Sequence, residues 1–208
     1  MSKATPTGLK VGLDFTGVVA DPRRLMARIC RQKFGIRIPA KELRQKIAVA
    51  DGRISKHRYA RLKEIVYETK EGLKMDPVPG ALHFIRLLVK TGVKVRIVTS
   101  KNPSEVKTIR HWLRTHVPDY HRKVHVFGVG RRRSKSIATS GLGVFVDDSA
   151  EKLKKIRNGH HRKKLVSPKL FLFSRVHNQK ELLGNFCTRV NGWSDLYRRI
   201  KALCSEEK

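Results

Sequence analysis

Cysteine, acidic side chains and long apolar runs are all in short supply. The three cysteines, Cys30, Cys187 and Cys204, stand far apart with no Cys-x-x-Cys pair. That excludes a disulfide framework or zinc ribbon and fits a reducing compartment. No apolar run approaches the ~20 residues of a membrane-spanning helix. Lys10 and Asp14 interrupt the one apolar stretch near the amino terminus, so no secretory leader is expected. An Arg-rich amphipathic transit pattern is missing as well. The expectation is a cytoplasmic protein with no membrane partner.

The shortage of acid is the most informative. Only 17 Asp and Glu face 47 Lys and Arg, a net charge of +30 over 208 residues. Such a field draws polyanions and speeds their encounter, although it says nothing about fold. RNA or another polyanion is therefore an expected partner.

Residues 1–8 are small and polar and read as a flexible tail. Leu9 to Val19 reads as β-like, a short apolar run broken by Asp14 and ended by Gly17, the pattern of a buried parallel strand. Over 22–75, Leu25, Ile29, Phe34, Leu43, Ile47, Tyr59, Leu62, Ile65 and Val66 fall mostly at helical spacing, and Gly35, Pro39 and Asp51-Gly52 supply breaks. About three short helices are predicted there. Beyond Pro77, Pro79 and Gly80 a helix runs to Thr91-Gly92. Strands are predicted at Val93–Val98, Val124–Phe127, Gly143–Val146 and Leu170–Phe173, with a helix from Asn102-Pro103 and a closing helix at Trp193–Leu203. Strands alternating with helices predict an α/β fold with a parallel sheet covered on both faces. Trp112 and Trp193 fall in helical stripes and read as core anchors.

Two of these strands end in acid, at Asp14 and at Asp147-Asp148, and a third ends in Thr99-Ser100. Parallel strands open their carboxyl ends onto one crevice. Carboxylates gathered there repel one another unless a cation intervenes. Magnesium suits them, since it prefers hard oxygen ligands and keeps waters that a phosphate can replace. Thr99 supplies a hydroxyl and Lys135, from a loop, an ammonium, both able to hold phosphoryl oxygens.

These motifs resemble those of the haloacid dehalogenase superfamily: VGLDFTGVVAD the first, RIVTS the second, Lys135 within RRRSKSIA the third and VFVDDSAEKL the fourth. Within it, MDPVPGALHFIRLL, HWLRTHVP and RVNGWSDL look most like the 5′(3′)-deoxyribonucleotidase-like branch. The resemblance implies a Rossmann-like core, residues 9–21 and 76–208, with a small helical cap over 22–75 inserted after the first strand. It implies that Asp14 is a nucleophile forming an aspartyl-phosphate. It further implies that Thr99, Ser100 and Lys135 bind the phosphoryl group, and that Asp14, the Thr16 carbonyl, Asp147 and Asp148 hold magnesium.

One position departs from the pattern. Phosphatases of the superfamily carry a second aspartate where this chain has Thr16, which is neither a useful acid nor a base near neutral pH. The expected activity is accordingly slow hydrolysis of a nucleotide or nucleic-acid phosphate. The alternative is a chain retained for binding RNA or a ribosome-like assembly. For that role Arg131, Arg132, Arg133, Lys154, Lys155, Arg162, Lys163 and Lys164 are the candidate contacts, reading phosphate backbone rather than bases. Arg44, Lys46, Arg53 and Lys56 read as a solvated cap face, and His160-His161 as loop residues in a basic run.

Overall fold

Val11, Val95, Ile97, Val98, Val144 and Val146 are almost wholly buried. β-branched side chains covered on both faces suit a parallel strand between two helical layers. The computed structural model describes residues 8–130 and 134–206; apart from Gly8, the expected tail over 1–8 lies outside the described residues. In chain order the elements are β1 (Lys10–Leu13), β2 (Ala20–Asp21), α1 (Arg23–Phe34), α2 (Lys56–Glu68), β3 (Asp76–Pro77), α3 (Ala81–Lys90), β4 (Lys94–Thr99) and α4 (Pro103–His116). Then follow β5 (His125–Gly128), α5 (Lys135–Ala138), β6 (Val144–Asp147), α6 (Ala150–Arg162), β7 (Lys169–Phe173), β8 (Thr188–Val190) and α7 (Trp193–Glu206). Among the described residues no helix is long and apolar enough to cross a membrane.

Six strands form one parallel sheet in the order β5-β4-β1-β6-β7-β8. This is the predicted α/β architecture. β1 lies between β4 and β6, with Leu13 level with both Ile97 and Val146. The chain runs outward from β1 on one side, then returns to its other side at β6, and a reversal of this kind leaves a crevice at the carboxyl edge. Asp14, Thr99 and Asp147 therefore finish neighbouring strands.

The helix beginnings are encoded locally. At α4, Asn102 Oδ1 accepts from the Glu105 amide at 2.9 Å, and Glu105 Oε2 accepts from the Asn102 amide at 2.9 Å. This reciprocal cap, with Pro103 in the first turn, satisfies donors that would otherwise be orphaned. Ser134 and Ser149 cap α5 and α6 with their hydroxyls.

Several expectations are corrected. The apolar run from Leu9 is strand only to Leu13; Val19 and Ala20 amides both donate to the Phe15 carbonyl, at 3.0 and 2.9 Å, and fold the chain into a turn. Val18 and Val19 are buried there, so an apolar turn imitated a strand. The segment 22–75 holds two α-helices, with 3₁₀ turns at Ala40–Glu42 and Lys70–Lys74 and a π turn at Gln45–Val49. β2 and β3 pair antiparallel at its base, Ala20 with Pro77 and Asp21 with Asp76. β8 was not anticipated, because in its three residues only Val190 is buried. Lys135 opens a helix rather than lying in a loop, and His160-His161 belong to α6.

Both tryptophans are core anchors, as expected. The Trp112 indole donates to the Met75 carbonyl at 2.9 Å and meets Phe15 edge-on at 5.3 Å. The Trp193 indole donates to the Val18 carbonyl at 2.8 Å. Each thus pins the chain next to one of the two crossings at β2 and β3. Trp193→Phe leaves the Val18 carbonyl buried without its donor, and a loss of about 1–3 kcal/mol in urea-unfolding stability is expected.

Candidate active site

Asp14 follows β1, and its amide donates to the Val146 carbonyl at 2.8 Å, which binds the end of β1 to β6. Its side chain is almost fully buried, as is that of Asp147. Between them lies Lys135, whose Nζ donates to Asp14 Oδ1 at 2.9 Å and to Asp147 Oδ2 at 2.8 Å. Lys152, from the first turn of α6, reaches the other oxygens of the same pair, Asp14 Oδ2 and Asp147 Oδ1, each at 3.4 Å. Each carboxylate is thus held by two ammonium groups.

The ionisation of the site follows from this. Burial alone would raise the Asp14 carboxyl, but Lys135 and Lys152 outweigh it and hold the group below its ordinary range. Burial likewise works against the Lys135 ammonium, and Asp14 and Asp147 overcome it. Asp14 first, then Asp147 and Asp148, keep Lys152 protonated. Asp148 behaves oppositely: burial, then Asp147 and Asp14, push its carboxyl up to about 7. A carboxyl that resists ionising beside two others marks a place where more positive charge would be welcome.

The donor set fits magnesium. Asp14, Asp147 and Asp148 each offer a carboxylate oxygen, and these lie within 4.8 Å of one another. All are hard oxygen donors, as that ion prefers. Gly17 makes room for the third acid: at φ +88° it turns the chain, and a Cβ there would meet Asp148 Oδ2 at 2.2 Å. Asp148 is further fixed through its backbone carbonyl, which accepts from Asn178 Nδ2 at 2.9 Å and lies 3.1 Å from His177 Nε2.

Thr99 is buried at the end of β4, and its hydroxyl makes no hydrogen bond among the described residues. Ser100 is exposed one residue beyond. Helices α4, α5 and α6 all begin beside this edge, and helix amino termini favour anions. Thr16 Oγ1 lies 3.3 Å from the Tyr67 hydroxyl of α2.

Four residues were missed or misread from the sequence. Lys152 was not named as a site residue; its signal was its place one turn after a strand-terminal acid pair. Tyr67 and Lys101 were not singled out. Lys101 Nζ lies 3.2 Å from the Tyr67 ring centroid and donates to Glu105 Oε1 at 3.0 Å. Burial lowers the Lys101 pKa despite Glu105. Burial also raises the Tyr67 phenol, so it stays protonated beside Thr16. Arg44, read as solvated, lies within electrostatic reach of Asp148 and His177. Nothing in a single sequence would have marked these last three.

The remaining candidates are distributed elsewhere. Lys154, Lys155, Arg162, Lys163 and Lys164 are exposed on α6 and just after it. Arg131, Arg132 and Arg133 lie outside the described residues. His160 is no ligand: it is buried, with Nε2 3.0 Å from Thr139 Oγ1 and 2.5 Å from the Ser136 carbonyl.

Comparison with known proteins agrees with this geometry. The family model described as 5′ nucleotidase, deoxy (Pyrimidine), cytosolic type C protein matches residues 8–204. No curated protein sequence matches the chain. Among solved structures, a predicted phosphatase from Clostridium acetobutylicum is similar with a TM-score of 0.64 at 12% identity, over 93% of this chain and 98% of that one. L-2-haloacid dehalogenase from Xanthobacter autotrophicus, with chloropropionic acid covalently bound, gives 0.59 at 11% identity over 93% and 98%. CbbY from Rhodobacter sphaeroides in complex with phosphate gives 0.58 at 14% identity over 90% and 95%. These likenesses establish a haloacid dehalogenase-like fold.

The Asp148 shift generates a pH prediction for the metal-free protein. A carboxyl whose pKa is raised on folding favours the folded state at low pH, and that contribution is lost as pH climbs from about 4 to 7. His177, lowered to about 4 by burial and then by Arg44, acts in the opposite sense up to its unfolded value of 6.5. The diagnostic quantity is therefore a difference. In chelator, Asp148→Asn should gain stability relative to the unsubstituted chain between pH 4 and 7, by more than about 1 kcal/mol. Thermal unfolding across that range reads it.

Proposed function

The chain belongs to the cytosolic type C 5′-nucleotidase family, a group of haloacid dehalogenase-like phosphatases, and on that basis we propose that it is a magnesium-dependent phosphohydrolase acting on a nucleotide or nucleic-acid phosphate. The observation that carries this reading is the pair Asp14 and Asp147, bridged by Lys135, with Asp148 completing a cluster of hard oxygens. In this reading residues 22–75 form the cap that selects the leaving group, over a core made of 9–21 and 76–208.

Asp14, kept ionised by Lys135 and Lys152, attacks the phosphorus atom. A carboxylate oxygen–phosphorus bond forms while the bond to the leaving oxygen breaks, giving an aspartyl-phosphate. Lys135 and the Thr99 hydroxyl hold the non-bridging oxygens as charge builds on them. Asp14, Asp147, Asp148 and the Thr16 carbonyl are the groups that would hold magnesium, which supplies electrophilic assistance to the phosphoryl group when bound. Water then attacks phosphorus, releasing phosphate and restoring Asp14.

Thr16 limits the rate. The leaving oxygen needs a proton and the attacking water must lose one, and a positioned acid–base typically contributes about a hundred- to ten-thousand-fold. Thr16 offers only a hydroxyl shared with Tyr67. Substrates with good leaving groups suffer least from this.

A second reading rests on a separate observation. The outer face of α6 and the residues after it expose Lys154, Lys155, Arg157, Arg162, Lys163 and Lys164, and the only acid in α6 is Glu151. Exposed phosphate-binding cations are rewarded by counterion release, so RNA backbone is the partner this face would suit.

Two measurements separate these readings. Deoxynucleoside monophosphates should be hydrolysed slowly with magnesium, and not at all with chelator or in Asp14→Asn. Thr16→Asp should raise turnover at least about tenfold, with a smaller gain on p-nitrophenyl phosphate, whose leaving group needs no proton. RNA affinity should fall steeply with salt and ignore Asp14→Asn. Replacing three of the α6 cations by Gln should flatten the log–log slope by about 0.7 for each phosphate no longer neutralised.

A further inference from the structure

On the flank of the crevice away from Thr99, two guanidinium groups share one carboxylate, and a third, that of Arg44, acts on the neighbouring Asp148. Arg23 opens α1 and donates to Asp21 through Nε, at 2.9 Å to Oδ1 and 3.2 Å to Oδ2, and through Nη2 at 2.5 Å to Oδ2. Arg175 follows β7, two strands from β1, and also donates to Asp21 Oδ2. One carboxylate therefore serves two arginines. Both side chains are largely enclosed, at 19% and 14% exposure. Arg44 joins them from the segment between α1 and α2, and its guanidinium forms no hydrogen bond or ion pair among the described residues.

Arg175 is tied to the crevice directly, since its amide donates to Asn178 Oδ1 at 2.9 Å and Asn178 Nδ2 donates to the Asp148 carbonyl at 2.9 Å; all three arginines lie within electrostatic reach of Asp148. They also bear on His177, whose Nε2 lies 3.4 Å from Asp148 Oδ2. Three cations against Asp21 and Asp148 leave a surplus of one positive charge. A structural salt bridge would need one arginine for Asp21. The surplus, half-enclosed beside a phosphoryl site, calls for an anion from outside.

We propose that Arg23, Arg44 and Arg175 form a second anion subsite, so that the substrate carries another phosphate on its leaving portion. This rests on the phosphohydrolase reading above and narrows its substrate class. Adjacent strands are about 4.8 Å apart, so β7 lies roughly 10 Å from β1, and the arginine side chains reach back across part of that gap. A nucleoside with phosphates on its 3′ and 5′ oxygens satisfies both subsites. So does the 5′-phosphorylated end of a nucleic acid, whose next phosphodiester would take the second. A nucleoside monophosphate leaves the arginines unanswered.

The test compares kcat/KM for thymidine 5′-monophosphate, thymidine 3′,5′-bisphosphate and a 5′-phosphorylated dinucleotide. Either substrate with two phosphorus atoms should exceed the monophosphate at least tenfold, and which of the two leads tells a free nucleotide from a nucleic-acid end. Arg44→Gln should bring that ratio close to one. Lys41→Gln, which removes the same charge from an exposed cap position, should leave the ratio as it was. A ratio near one in the unsubstituted chain, or one indifferent to Arg44→Gln, overturns the subsite while leaving the hydrolase reading intact. If none of the three is hydrolysed, the hydrolase reading fails. The subsite is then judged by calorimetric binding of the bisphosphate and the monophosphate to the unsubstituted chain and to Arg44→Gln: equal affinities overturn it.

Discussion

Asp14 and Asp147 finish adjacent parallel strands, and a single ammonium, that of Lys135, is bonded to both. Two buried carboxylates at this separation would otherwise push apart the strand ends that carry them. Lys135 answers one oxygen of each and Lys152 the other, so all four oxygens are engaged. Much of the remaining architecture serves this contact. The register of β1 against β6 sets the carboxylates side by side, α5 delivers one lysine, and α6, capped by Ser149, delivers the other from its first turn.

The cluster is an acidic island in a chain carrying a net charge of +30, and that contrast explains its chemistry. A positive exterior raises the local concentration of anions around a protein, while the carboxylates of Asp14, Asp147 and Asp148 gather within. The arrangement is balanced unevenly. Asp14 is held ionised, Asp148 is pushed toward neutrality, and cationic groups crowd both flanks, with Lys101 on one side and three arginines on the other.

The elements that read well from the sequence were those whose local pattern reflects burial. β4, β6 and β7 appeared as short apolar runs within a residue of their observed limits, and α4 was announced by Asn102-Pro103. Asp14, Thr99 and Asp147 could be located because each interrupts or ends such a run. Failures came where burial and local geometry part company. Val18 and Val19 are buried in a turn, β8 has one buried residue, and the segment between α1 and α2 is made of 3₁₀ and π turns without a stable period. His160 shows the same limit in reverse, since a basic run concealed a wholly buried side chain that joins α6 to α5.

The sequence by itself determined the chemical groups, their order and the α/β class, because strand and helix periods are written into neighbouring residues. Tertiary structure alone decided that Lys152, among so many cations, joins Lys135 at the site: the two lie 138 and 121 residues from Asp14 in the chain. It also placed Tyr67 against Thr16 and drew Arg44 toward Asp148. The physical reason is that electrostatic contacts depend on distance in space. Strand order and the path of the inserted segment set those distances, and neither is encoded in any local pattern.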